Sequence, residues 1–191
     1  MAATNVKVHR WTRRDYERLA EAGFFPPEAR VELIDGIVYD MTPQSSFHSV
    51  GILAVQEFLR STFSPGHYIR VQMPLALDGA SQPEPDLAVV TGSFADHAHA
   101  HPATAVLVAE VAERSLLHDR QRKLPLYARA GIPEFWLLLV KERALEVYRD
   151  PVDGKYQTRI VLRIGDLISP EARPDASLAV ADLFPWEKPR R

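Results

Sequence analysis

Two apolar stretches of the chain each carry a carboxylate where a strand is predicted. Asp86 begins the apolar run 86–90, Glu110 lies inside the apolar run 106–111, and Lys123 follows on a predicted helix. An isolated buried carboxylate is unstable, so each one must be protonated, paired or bound to a cation. Two carboxylates and a lysine are the minimum set for holding a divalent metal and stabilising charge during phosphodiester cleavage. A metal-dependent nuclease is therefore the first hypothesis.

Each of these three residues also has a structural explanation. Pro85 fixes the backbone before Asp86 and offers no donor, so Asp86 lies where a strand begins and is either a turn residue or a ligand. Glu110 ends an otherwise apolar strand face, and an ion pair with an arginine would explain it. Lys123 shares a helical stripe with apolar residues, so it faces inward and needs a carboxylate or phosphate partner. Asp119, one turn earlier, is the alternative partner.

Two further residues are candidates for the same chemistry. Glu32 is flanked by apolar residues and supplies a further carboxylate. His48 lies near the start of a helix that Ser45 or Ser46 would cap. It would bind metal, shuttle a proton or donate to phosphate, or it is only a hydrogen-bonding residue at a helix end.

Three alternating histidines, His97, His99 and His101, have a spacing that chelates metal on an extended strand. Their segment has the composition of a loop and no fourth ligand is evident, so a zinc site is not favoured. We predict surface histidines.

Composition restricts the class of protein. The 191 residues suit one domain, and 46% hydrophobic with 25% charged residues is typical of a soluble globular protein. The absence of cysteine excludes disulfides and cysteine nucleophiles. The first ten residues lack the apolar core of a secretion signal and no apolar run is long enough for a membrane span, so we expect a cytoplasmic protein without a membrane partner. The net charge of −2 gives no general attraction to nucleic acid. A local basic patch is still possible, from Arg114, Arg120, Arg122, Lys123 and Arg129.

The elements that must position these residues follow from hydrophobic periodicity and turn residues. Asp35-Gly36 between two apolar-rich runs is a strong β-hairpin signal. Helices are predicted over 13–22, 47–63 and 116–130, the last one bent at Pro125. Strands are predicted over 30–34, 37–41, 68–77, 86–90, 105–111, 134–140, 144–149 and 155–162. The tail from Pro170 is a wrap or a loose end. This order predicts an α/β (mixed α+β) fold with a mixed central sheet flanked by helices.

Three blocks of the chain resemble the Uma-two family of restriction endonucleases in the PD-(D/E)xK nuclease superfamily. The first block is 30–36 with Thr42-Pro43 and His48, and the second is 85–90. The longest block begins at Glu110 and continues through Lys123 to Trp136. The order and spacing of the blocks make the resemblance specific, and it covers roughly Thr12 to Asp150.

The resemblance implies a single restriction-endonuclease-like domain over 1–191, with a core of about 12–150 and a C-terminal hairpin and tail at 151–191. It implies that Asp86 and Glu110 hold Mg²⁺ or Mn²⁺ and that DNA is hydrolysed. Ala112 stands where the superfamily pattern has its lysine, and Lys123 on the following helix fits that role. Glu32 would be a third acid or a general base and His48 an auxiliary group.

Other interpretations of the same residues stay open. The chain is alternatively a catalytically silent nucleic-acid-binding or interaction module, or a module in which Glu110 and Lys123 form only a buried pair. A metal-dependent hydrolase acting on another substrate is a third alternative. A homodimer is possible, because nucleases that cut both strands often pair two sites by symmetry.

Overall fold

The computed structural model describes residues 7–41 and 43–187. Thr42 of the first family-like block, the first six residues and the last four lie outside the described residues. The first half contains α1 (Arg13–Glu21), β1 (Val31–Ile34), β2 (Ile37–Asp40), α2 (Ser46–Phe63), β3 (His67–Val71) and β4 (Leu87–Thr91). The second half contains β5 (Leu107–Ala112), α3 (Leu116–His118), a π-helical turn (Asp119–Lys123), α4 (Leu124–Arg129), β6 (Glu134–Leu139), β7 (Ala144–Val152), β8 (Lys155–Arg163), β9 (Leu167–Ile168) and β10 (Leu178–Ala179).

Six strands form the central sheet, in the order β3-β4-β5-β6-β7-β8. β5 and β6 are parallel, and every other neighbouring pair is antiparallel. The helical segment 116–129 makes the crossover that a parallel pair requires. The predicted α/β fold with a mixed sheet flanked by helices is confirmed.

Apolar side chains cover both faces of the sheet. On one face α2 packs against β4, β5 and β6 through Ile52, Val55, Leu59 and Phe63. On the other face Tyr127 of α4 packs against the strands. Successive strand residues alternate between faces, and Val108 and Ala112 belong to the α4 side. Glu110 lies between them in sequence and therefore points to the α4 side as well.

The β1–β2 hairpin has the turn that the sequence predicts. Asp35 and Gly36 have φ values of 50° and 74°, and Ile34 pairs with Ile37 across the turn. Two consecutive positive φ values define the turn type whose twist matches that of the flanking strands. The hairpin register fixes the position of Glu32 opposite Tyr39.

The predicted strand over 68–77 is wrong beyond Val71. Gln72 has a φ of 51°, its backbone N–H donates to Asp86 O, and Pro74 has no N–H for a ladder. The chain therefore leaves the sheet after Val71, which pairs with the first residue of β4.

The predicted helix over 116–130 is present, but its irregularity is not a simple bend. Leu124 N donates to Asp119 O, five residues earlier, and so closes a π-helical turn immediately before Pro125. Proline removes one donor and clashes with the preceding turn of an α-helix, and the wider turn accommodates it.

Residues beyond 150 contribute to the sheet and to the core. β7 continues to Val152, and eight of its residues pair with β8. Leu178, Val180, Leu183 and Phe184 are buried against the α2 side of the sheet, so the described part of the tail wraps around it. No helix within 7–41 and 43–187 has both the length and the apolar character needed to cross a membrane.

Candidate active site

Asp86 and Glu110 lie side by side where β4 begins. Leu87 pairs with Ala109, so the antiparallel register brings the preceding Asp86 opposite Glu110. Val111 N donates to Asp86 Oδ2 at 2.8 Å, and Asp86 N donates to Glu110 Oε2 at 3.3 Å. The backbone of two strands thus fixes both carboxylates.

Lys123 extends from the π-helical turn to two carboxylates, those of Glu110 and Glu32. Its Nζ lies 3.0 Å from Glu110 Oε1 and 3.2 Å from Glu32 Oε2. Lys123 is only 4% exposed. Ala112, two residues after Glu110 on the same strand face, carries only a methyl group. The cation beside Glu110 therefore comes from the helical segment and not from β5.

Glu32 enters the cluster from the β1–β2 hairpin. Its Oε2 accepts a hydrogen bond from Glu84 N at 3.1 Å, and its Oε1 lies 3.3 Å from His118 Nε2. Glu32 is buried, as expected from its apolar neighbours. One carboxylate therefore links Lys123 to His118.

His48 contacts Asp86 from the first turn of α2. Ser45 Oγ accepts a hydrogen bond from His48 N at 3.2 Å and caps the helix, as predicted. The His48 ring then lies with Nε2 3.2 Å from Asp86 Oδ1. The helix cap and the strand start therefore place the imidazole against the carboxylate.

A cavity of about 230 Å³ brings the five sequence-predicted residues together. Among the described residues, its acidic and basic lining consists of five carboxylates, one lysine, two arginines and two histidines: Glu32, Asp40, Asp86, Glu110, Asp119, Lys123, Arg30, Arg114, His48 and His118. Asp119 accepts a hydrogen bond from Ser115 Oγ at 2.6 Å, while Glu110 and Glu32 are the close partners of Lys123. The five carboxylates outnumber Lys123, Arg30 and Arg114, so the cavity carries excess negative charge.

Burial and the acidic surroundings shift the pKa values of the central pair. Burial raises the pKa of Glu110 well above its usual range, and the charges of Asp86 and Asp119 raise it further. Burial alone would lower the pKa of Lys123, but the surrounding carboxylates, Glu110 foremost, outweigh it and raise this pKa. Lys123 is therefore held as a cation, and Glu110 takes up a proton more readily than an exposed glutamate does.

Two other carboxylates are held ionised. Burial disfavours charge on Asp86, but the His48 hydrogen bond and charge lower its pKa below the usual range. Burial likewise acts against Glu32, and Lys123 with His118 lowers that pKa in turn. The pKa of His48 is raised, because Asp86 outweighs the opposing effect of burial. The cluster thus favours the charged forms of Asp86, Glu32 and His48.

The carboxylate oxygens of Asp86 and Glu110 are the type of ligand that a hard divalent cation prefers. Within residues 7–41 and 43–187, no group of three or more acidic or histidine side chains converges as a complete metal site. Mg²⁺, however, is usually bound by one or two carboxylates, with waters and substrate phosphates completing its shell. Paired carboxylate oxygens in a cavity with excess negative charge provide that kind of partial site.

Sequence reasoning did not assign roles to three residues that contact the cluster. Tyr127 OH donates to Glu110 Oε1 at 2.7 Å, and Gln72 Nε2 donates to Asp86 Oδ1 at 3.2 Å. His118 is the third. Tyr127 has a sequence signal, because it lies four residues after Lys123 on the same helical stripe. Gln72 and His118 have none, because their contacts depend on distant segments.

The predicted basic patch is largely dispersed. Arg129 pairs with Asp35 at 2.6 Å and Arg120 pairs with Glu146. Lys123 is buried in the acidic cluster, and Arg114 is exposed at the cavity. Positive charge at the cavity rim therefore comes from Arg114 and from Arg30, which was not in the predicted patch.

The three alternating histidines lie away from the cavity. His99 and His101 are exposed, and His97 is half-buried with its Nδ1 2.9 Å from Tyr68 OH. The predicted surface location is confirmed for His99 and His101.

Comparisons with known proteins agree with this fold. A family model described as "Uma2: Putative restriction endonuclease" matches residues 13–181. The structure is similar to a crystal structure of "a putative nuclease belonging to DUF820" from Anabaena variabilis ATCC 29413, with a TM-score of 0.69 and 18% identity. That similarity covers 88% of this chain and 97% of the other, and at this identity it shows a shared fold. Among curated proteins, none matches the chain.

Proposed function

The chain belongs to the Uma2 family, and from that premise we propose that it is a Mg²⁺-dependent endonuclease that hydrolyses phosphodiester bonds of DNA. One observation carries the proposal. The buried Lys123 Nζ lies 3.0 Å from Glu110 Oε1, and Glu110 adjoins Asp86 through the Asp86 N–H at the start of β4. Two strand carboxylates and a cation therefore share one open cavity.

Asp86 and Glu110 would hold the metal, because their oxygens are the hard ligands that Mg²⁺ prefers. When bound, a divalent cation supplies Lewis acidity that activates water and polarises the phosphate. Mn²⁺ would satisfy the same oxygen ligands. The hydrogen bonds from Val111 N and Gln72 Nε2 orient Asp86 toward the cavity before any ligand arrives.

Lys123 acts as a fixed cation. The carboxylates around it raise its pKa, so it does not serve as a base at neutral pH. A buried ammonium beside the reacting phosphate stabilises the negative charge that develops on the phosphoryl oxygens. Lys123 therefore contributes electrostatic stabilisation, and Glu32 holds its Nζ in place at 3.2 Å.

His48 and Glu32 support this pair. His48 orients Asp86 through the 3.2 Å contact and keeps its carboxylate charged. Glu32 stays ionised, so it is a countercharge to Lys123 and positions it. At the rim, Arg30 and Arg114 are exposed and are suited to neighbouring phosphates of the DNA backbone.

The test measures Mg²⁺ binding by calorimetry and the nicking of plasmid DNA in parallel. Asp86→Asn and Glu110→Gln each remove one charge and preserve shape, so we expect both to lose Mg²⁺ binding and cleavage. Lys123→Met keeps the carboxylates and removes the cation, so we expect lost cleavage with Mg²⁺ binding retained. Glu142→Gln, at an exposed turn outside the cavity lining, is the matched control.

Circular dichroism establishes that each variant is folded. Cleavage retained by folded Asp86→Asn or Glu110→Gln would contradict the metal assignment. Cleavage retained by Lys123→Met would remove that residue from the mechanism. A wild-type protein that binds DNA without cutting it in Mg²⁺ or Mn²⁺ would support the catalytically silent alternative.

A further inference from the structure

His118 lines the cavity, and in the part of the chain that the structure describes only Nε2 of its two ring nitrogens contacts a carboxylate. Its Nε2 is 3.3 Å from Glu32 Oε1, and its ring packs edge-on against Tyr39 with centroids 4.8 Å apart. The His118 side chain is 28% exposed, whereas Glu32 is 4% exposed. A buried carboxylate and an aromatic ring thus fix an imidazole that still borders open space.

In this arrangement a carboxylate orients the imidazole, as it does for the catalytic histidine of a Ser-His-Asp triad. A carboxylate that accepts a hydrogen bond from one ring nitrogen sets the tautomer and the orientation of the ring. With Nε2–H directed at Glu32, Nδ1 is the nitrogen available to a substrate. No residue in the described ranges makes a hydrogen bond to His118 Nδ1, and the cavity that His118 lines is the one lined by Asp86 and Glu110.

We propose that His118 is a catalytic residue that donates a proton from Nδ1 to the leaving sugar oxygen, oriented by Glu32. The proposal rests on the proposed nuclease function and extends it by assigning the general acid. A sugar alkoxide is a strongly basic leaving group, so protonation lowers the barrier for its departure.

The step balances as an ordinary hydrolysis. Water forms a new bond to phosphorus, and the bond from phosphorus to the sugar oxygen breaks with its electron pair moving to that oxygen. The oxygen takes the His118 Nδ1 proton and leaves as an alcohol. The proton lost by water passes to solvent, and the neutral imidazole then regains a proton from solvent.

The other proton-bearing groups of the cavity are less suited to this role. His48 directs Nε2 at Asp86, which is one of the proposed metal-holding residues, and its side chain is only 15% exposed. The Lys123 side chain is 5% exposed and is enclosed by carboxylates that retain its proton. His118 is the more exposed histidine, and its partner Glu32 is not among the proposed metal-holding residues.

The leaving group distinguishes a general acid from a structural residue. His118→Gln retains a side-chain N–H for Glu32 but has no transferable proton. We expect it to cleave DNA about 100-fold or more slowly than wild type. Hydrolysis of the p-nitrophenyl phosphodiester of thymidine should fall by no more than about threefold, because nitrophenolate leaves without protonation.

A second variant and a control complete the experiment. His118→Ala should lose DNA cleavage, and added imidazole should restore part of it. His99→Gln removes an exposed histidine far from the cavity and should match wild type on both substrates.

The possible results separate the two proposals. Equal loss on both substrates, or no loss on DNA, overturns the role of His118 while the nuclease proposal stands. A folded wild-type protein that hydrolyses neither substrate refutes the nuclease proposal, and the role of His118 falls with it.

Discussion

At the scale of single residues, Glu110 depends on two donors that meet at one oxygen. Glu110 Oε1 accepts hydrogen bonds from Lys123 Nζ at 3.0 Å and from Tyr127 OH at 2.7 Å. Burial raises the pKa of Tyr127, and the adjacent Glu110 charge raises it further, so the hydroxyl keeps its proton and donates it. Tyr127 thus limits the directions in which Glu110 can turn.

Tyr127→Phe removes this donor and leaves the ring in place. Partners that orient a metal ligand typically contribute 10–100-fold to affinity or activity, so we expect Mg²⁺ affinity or cleavage to fall by about that factor. Calorimetry and plasmid nicking measure the two quantities.

Tyr156→Phe is the matched control for that measurement. Tyr156 OH donates to Ile132 O at 2.9 Å, outside the cavity lining, so its loss should lower stability by about 1 kcal/mol and leave cleavage unchanged. Wild-type Mg²⁺ affinity and cleavage in Tyr127→Phe would show that Lys123 and the Asp86 N–H orient Glu110 without Tyr127.

The residues of the site differ in how far local sequence reveals them. Lys123 was predictable, because a lysine on the apolar stripe of a helix needs a buried partner. Asp86 and Glu110 were predictable as carboxylates inside apolar runs. Gln72 and His118 were not, because their partners Asp86 and Glu32 lie 14 and 86 residues away along the chain.

At the scale of elements, local turn chemistry was more predictable than strand length. Asp35-Gly36 fixes its hairpin by backbone preference alone. The early end of β3 depends on Gln72, whose positive φ accompanies a hydrogen bond to the distant Asp86 backbone. The π-helical turn also departs from helical periodicity, because the sequence shows Pro125 but not how the preceding turn accommodates it.

Gly36→Ala tests how tightly the hairpin is held. A Cβ at Gly36 would lie 2.6 Å from Arg10 Cβ and 3.0 Å from Trp11 O, and the φ of +74° is one that alanine rarely adopts. We expect a loss of about 1–3 kcal/mol in the free energy of unfolding, measured by urea denaturation.

Gly79→Ala provides the comparison for this loss. No atom lies within 4 Å of a Cβ built at Gly79, so its effect should stay within about 0.5 kcal/mol. Equal stability of the two variants would mean that the hairpin shifts freely away from residues 10 and 11.

At the scale of the whole molecule, the C-terminal segment completes the core on the α2 side. Phe184 is fully buried, and Leu183 and Val180 accompany it in the same cluster. The sequence predicts that this tail either wraps around the domain or is a loose end, and it does not decide between the two because the prolines interrupt any periodic pattern. Only the packing of the sheet shows where its apolar residues lie.

Phe184→Ala should therefore destabilise the whole protein. Deleting a fully buried phenylalanine leaves a cavity, and we expect a loss of about 3–5 kcal/mol in the free energy of unfolding. Phe94→Ala removes the same side chain at a position that is 79% exposed, so its effect should stay within about 0.5 kcal/mol. Similar urea midpoints for the two variants would contradict the wrapped position of the tail.

The supply of Lys123 by the crossover segment, and not by β5 itself, makes the charge of the cluster depend on the docking of that segment. If the segment 116–129 separates from the sheet, Glu32 and Glu110 lose the ammonium that faces them. The same separation removes Tyr127 from Glu110 Oε1 and exposes Glu110 to water, so the burial that raises the pKa of Glu110 is relieved. The buried ammonium and its carboxylate partners are therefore held together only while this helical segment is docked against the sheet.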